Sequence, residues 1–150
     1  MLVLVGGKYP QRDALMLFKI KRDVPANTPR TMLDRQKLSI AKGTIIEWLV
    51  HMPEECADIM QFRVEYHNMQ ILPFSGSTWM YGIFEPTVFK ENFLVNDGPY
   101  ALDVYAFNLD TRHSHEYNIH CNVEPAKLPT AQKPGYDLKA AWNNLFGGGN

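Results

Sequence analysis

Five histidines, two cysteines and a scatter of carboxylates are the residues of this 150-residue chain whose types could do chemistry. His113-Ser-His115-Glu116 comes nearest to a metal-ligand pattern. A metal held on a strand needs its His-x-His pair and its carboxylate on one face. Here Glu116 follows His115 directly, and alternate residues of a strand point to opposite faces, so the two diverge. His51, His67 and His120 fall on polar faces of strand-like runs and read as ordinary exposed side chains. No metal and no other cofactor is expected.

Nucleophilic catalysis fares no better. Ser75-Gly76-Ser77 is not the Gly-x-Ser-x-Gly elbow and lacks a strand-turn-helix setting. Cys56 follows Glu54-Glu55, whose charge raises a thiol pKa, the wrong direction for a nucleophile. Gly6-Gly7 and Gly147-Gly148-Gly149 have no strand and helix partners to make a phosphate loop. The expectation is a protein that is not an enzyme. Trp79 and Tyr81 remain as candidates of another kind, since exposed rings on a sheet can stack on sugars. Burial under a second sheet or a neighbour is the competing expectation for them.

The elements that would carry these residues are strands. From His115 to Glu124 the odd positions Tyr117, Ile119, Cys121 and Val123 are apolar or nearly so. The even positions Glu116, Asn118, His120, Asn122 and Glu124 are polar, the period of a half-buried strand. Met60, Phe62, Val64 and Tyr66 alternate in the same way with Gln61, Arg63, Glu65 and His67. Ile46, Trp48, Val50 and Met52 are read as one face of a strand from Thr44, and Pro53 stops it. His67-Asn68 turns the chain into a short run from Met69 to Leu72. Trp79, Tyr81 and Ile83 are read as one face of a strand with bulk on both sides. Phe89, Phe93 and Val95 belong either to another short strand or to a loop that packs inward. After the Asn96-Asp97-Gly98-Pro99 turn, Tyr100, Leu102, Val104 and Ala106 share a face opposite Asp103, Tyr105 and Phe107. Short turn-rich links without a helical period predict a mainly β fold, an antiparallel sandwich of immunoglobulin-like or jelly-roll topology.

Both flanks differ from this core. Residues 1–42 read as an N-terminal arm or edge strand. Ala14, Met16, Phe18 and Ile20 give a strand pattern, and Val24-Pro25-Ala26-Asn27-Thr28-Pro29 extends the chain. Residues 43–124 form the sandwich domain, and 125–150 a linker with a docking helix. Asp137 caps Leu138, Ala141, Trp142, Leu145 and Phe146, which recur at helical spacing. About three turns are marginal alone, so the stripe must dock on its own sandwich or on another chain. Leu138, Trp142, Leu145 and Phe146 are therefore the candidate partner-binding residues.

A net charge of -1 gives no electrostatic footprint for nucleic acid or an anionic membrane. Met1 to Val5 is too short for a signal segment, and nothing else approaches membrane length. Two cysteines in apolar surroundings read as free buried thiols of a reducing compartment.

A compact β domain with a proline-marked arm and a docking tail resembles small β-sandwich accessory proteins of tailed-phage virions, such as capsid decoration (cement) proteins. The resemblance rests on layout: the arm at Val24–Pro29, the sandwich from Gly43 to Glu124 and the tail from Pro125. It implies a structural role in a virion, as a homo-oligomer within a larger assembly such as a capsid, made in the host cytoplasm. An arm that orders on contact ties neighbours together. The alternative is a carbohydrate- or receptor-binding module using Trp79 and Tyr81.

Overall fold

The computed structural model describes residues 14–74 and 78–126. Eight strands follow one another: β1 Met16–Val24, β2 Asp34–Ser39, β3 Gly43–His51, β4 Met60–Tyr66, β5 Met69–Leu72, β6 Thr87–Val95, β7 Ala101–Asn108 and β8 His115–Pro125. A single 3₁₀ turn at Glu54–Cys56 lies between β3 and β4. The strands pair into two four-stranded sheets, ordered β1-β8-β3-β6 and β2-β7-β4-β5. Every pairing is antiparallel. With eight strands in sequence, that interleaved order is the jelly roll, in which each sheet takes strands from both halves of the chain. Of the two topologies that the sequence allowed, this is the one present.

Alternation explains the two layers. In β8 every odd residue from His115 to Val123 is buried and every even one is half-buried. β4 repeats the pattern from Met60 to Tyr66. The inner rows meet in one core that includes Trp48, Phe62, Val64, Leu102, Val104, Tyr117, Ile119 and Val123. Burying each large side chain contributes about 1.5–3 kcal/mol relative to leaving it in water. Phe62 and Tyr117 touch across the two sheets, ring centroids 5.2 Å apart. The stretch from residue 16 to 39 supplies an edge strand to each sheet: β1 beside β8 and β2 beside β7. Arg22 of β1 and Asp34 of β2 join those edges through an ion pair at 2.7 Å.

Three details differ from the sequence pattern. Ile45, not Ile46, is fully buried, although Trp48, Val50 and Met52 are inward as expected. The register against β8 shifts between Ile45 and Glu47, a β-bulge that spends one extra residue and lets both Ile45 and Trp48 point in. Ile45→Ala should therefore cost about 2–5 kcal/mol, and Ile46→Ala roughly 1 kcal/mol or less. Denaturant titration of the two variants checks the order; equal losses would place the bulge elsewhere.

The strand expected at Trp79, Tyr81 and Ile83 does not form. The segment makes one isolated bridge, Phe62 to Met80, and it is Met80 that is buried. Gly82 then takes a positive φ of 73° and Pro86 follows, so extended pairing stops. Third, Tyr100 is exposed rather than in the inner row, and Phe107 is buried although it lies in the outer row of β7. Trp79 and Arg30 cover it from outside.

The turn at His67-Asn68 is a two-residue hairpin with both residues at positive φ, 48° and 64°. Asparagine tolerates that region well, and the left-handed pair matches the twist of β4 and β5.

Candidate functional site

Three places gather side chains that could act on a ligand, and the fold builds each from a different strand face. The first lies on the outer face of the β2-β7-β4-β5 sheet. Cross-strand pairing sets Arg35, Tyr105 and Arg63 side by side in one row. The Arg63 guanidinium sits 4.6 Å from the Trp79 ring centroid and 5.3 Å from that of Tyr105. Arg30 lies 4.5 Å over Phe107, and Trp79 meets Phe107 edge-on at 4.9 Å. Asp103 binds Arg35 at 3.0 Å, and Glu65 lies 3.3 Å from Arg63. Cations set against rings, two of them also beside a carboxylate, occupy this surface, each cation–ring contact worth about 0.5–1 kcal/mol. A sugar needs a free ring face, and Arg63 takes one face of Trp79. Tyr81 is 56% exposed, but no ring contact joins it to Trp79 among the described residues.

The second place is the β7–β8 loop. Asn108 is fully buried and donates from Nδ2 to the carbonyls of Val24 (3.1 Å) and His113 (3.0 Å). Its Oδ1 accepts the Asp110 N–H at 3.0 Å. Asp110 Oδ1 accepts the N–H groups of Arg112 and His113, and Oδ2 lies 2.8 Å from His115 Nε2. The Arg112 N–H first, then His115 and the His113 N–H, hold the Asp110 carboxyl down from its ordinary 3.8 to about 2. His115, on the buried face of β8, thus spends its ring nitrogen on Asp110, while His113 is exposed. Among the described residues no group of three or more His, Cys, Asp or Glu is arranged to hold a metal ion.

A carboxylate whose folded pKa is depressed contributes stability that is complete above its unfolded value. That contribution is lost as pH falls through the folded value. Asp110 should therefore support the fold fully above about pH 4 and progressively less toward pH 2. Asp110→Asn should lower the melting temperature at neutral pH and flatten its decline across that window. A melting profile parallel to the parent's from pH 5 to pH 2 would show that the loop does not depend on this charge.

Both thiols are shut away. Cys56 is pushed up to about 11, first by burial and then by Glu55. Burial alone pushes Cys121 up to about 12. Burial thus disfavours the thiolate, the form that attacks, at both positions.

The third place is the outer face of the β1-β8-β3-β6 sheet. His51 and His120 share a shallow depression of about 190 Å³ with Leu49, Pro86 and Asn118. Glu47 ties this face together, accepting from Asn122 at 3.1 Å and pairing with Lys90. Beside these polar residues stand apolar ones. Leu49 pairs directly with Val88, which is 49% exposed, and Leu94 further along β6 is 60% exposed.

Comparison with family models, curated proteins and solved structures finds no match.

The four partner-binding candidates Leu138, Trp142, Leu145 and Phe146 lie outside the described residues, as does Ser75-Gly76-Ser77. The β6 edge was not singled out from sequence. Glu91 stands in its inner row between Phe89 and Phe93, and that charge interrupts the alternation that would have marked a full strand.

Proposed function

We propose that this protein is a non-enzymatic structural component of a virion, a capsid decoration protein or another head or tail accessory. It stabilises an assembly through contacts with further copies of itself and with a larger protein lattice. The observation that carries this reading is the exposed apolar side chains on the outer face of the β6 edge, Val88 beside Leu49 at one end and Leu94 beside Thr44 at the other. Covering each would contribute about 1.5–3 kcal/mol, a gain that a neighbouring subunit can supply. The helical spacing of Leu138, Trp142, Leu145 and Phe146 in the sequence, outside the described residues, supports the same reading. Jelly rolls occur in capsid and lectin domains alike, so the fold by itself does not choose between assembly and sugar binding.

The exposed Tyr81 favours the second reading, a carbohydrate- or receptor-binding module. Against it stands the Arg63 guanidinium on the Trp79 ring. Two tests separate them. Flanking genes that encode capsid, portal or tail proteins support the virion role. Binding of the full chain to an immobilised sugar panel, abolished by Tyr81→Ala, would replace it with the binding module.

A further inference from the structure

The geometry points to β6 as a self-complementary edge that pairs antiparallel with β6 of a second copy, across a twofold axis at Glu91; this rests on the assembly reading above. A sandwich of two open sheets has four edges, and an unpaired edge strand is a template for another chain. Three of the four are blunted. β1 turns Lys19 outward and β2 turns Lys37 outward, neither in an ion pair among the described residues, and β5 has four residues before Pro73. β6 runs for nine residues without proline, as β1 does, and its ladder to β3 shifts register where Glu91 and Asn92 face Ile46 alone. It differs from β1 and β2 in its charge. Its one lysine, Lys90, is drawn inward along the sheet to Glu47.

The residue order supplies the occupant. In the strand Thr-Val-Phe-Lys-Glu-Asn-Phe-Leu-Val, apolar residues stand symmetrically about Glu91. Antiparallel pairing centred there sets Val88 opposite Leu94 of the second copy on the outer face. On the inner face it sets Phe89 opposite Phe93. Both couples occur twice, by symmetry. A twofold axis normal to the sheet keeps inner rows on one side, so only registers shifted by whole pleats are allowed. Moving the centre to Lys90 or Asn92 sets Phe89 or Phe93 against a glutamate and Val88 or Leu94 against a polar or charged residue. The centred register is therefore selected by matched apolar pairs, and Lys90 then meets the neutral Asn92. The half-buried Phe89 gains an aromatic neighbour, and Phe93 gains a second beside Tyr66, whose ring lies edge-on at 5.6 Å. One pair opposes the contact: Glu91 meets its own copy at the axis, and Glu91 Oε2 is buried without a hydrogen-bond partner among the described residues.

Sedimentation velocity of the full chain over a range of concentrations tests this. Val88→Lys and Leu94→Lys, both at exposed positions, should each weaken self-association roughly tenfold or more and leave the melting temperature of the dissociated chain unchanged. Glu91→Gln should do the reverse and tighten it. If the parent self-associates and none of the three variants changes its affinity, the β6 contact is wrong while the assembly reading stands. If the lysine variants lower the melting temperature of a chain that is monomeric throughout, residues 1–13 or 127–150 cover the edge instead, and the proposal falls. A parent that never self-associates overturns both the β6 contact and the homo-oligomer.

Discussion

Replacing Ile119 by aspartate should leave no folded protein. Ile119 is fully buried at the middle of β8, paired with Ile20 of β1 on one side and Val50 of β3 on the other. An aspartate there loses the apolar contacts, and the inner-row cation of β1, Arg22, is already paired with Asp34. The cost is several kcal/mol for the unpaired charge alone, against a total stability of about 5–15 kcal/mol for a domain. Far-UV circular dichroism should lose its β signature, and no cooperative melting transition should remain. His120→Asp is the control, one residue on and half-exposed on the outer face of the same strand. It should melt within a few degrees of the parent. Were Ile119→Asp to melt like the parent, the two faces of β8 would have to be exchanged.

Gly43→Ala should also destabilise the fold, by steric clash rather than by a cavity. Gly43 opens β3 and lies between Val95 of β6 and Pro125 of β8. A Cβ at this position would stand 2.1 Å from the Glu124 carbonyl oxygen and 3.0 Å from Val123 Cγ1. The first of these is backbone in a paired strand, so no side-chain rotation relieves it. Two central strands of one sheet must move apart, at about 1–3 kcal/mol or more. In a chain of this length that lowers the melting temperature by on the order of 5–10 °C. An unchanged melting temperature would mean that the β3–β8 junction is looser than the pairing implies.

The fold was legible where burial is one-sided. β4 and β8 each have a fully apolar inner row, and the period of two follows directly. Reading failed where a single residue breaks that period. The bulge at Ile46 shifts the frame by one, and sequence has no mark for it because Ile45 and Ile46 are chemically identical. Glu91 in the inner row hid the length of β6. The run at Trp79–Ile83 alternates like a strand but is interrupted by the positive φ of Gly82, a tertiary choice that no local preference dictates. β1 and β2 sit at sheet edges, where inner positions such as Arg22, Asp34 and Gln36 need not be apolar, and so they looked like an arm.

The candidate surfaces were less legible, for a physical reason. Trp79 was visible as a large aromatic, but the guanidinium that covers it comes from β4, and only the sheet register brings Arg63 beneath it. His115 was visible as half of a histidine pair. Its partner Asp110 is five residues upstream in a loop whose shape depends on the buried Asn108. The apolar outer surface at Val88 and Leu94 carries no sequence signature, because an outward valine in an edge strand looks the same as an inward one.

The mass of the intact chain in solution tests the central claim most directly. Sedimentation equilibrium at rising concentration should give a mass that climbs from 17.2 kDa to a whole multiple of it. A mass that stays at 17.2 kDa to the highest soluble concentration would contradict a protein that works through contacts with its own copies.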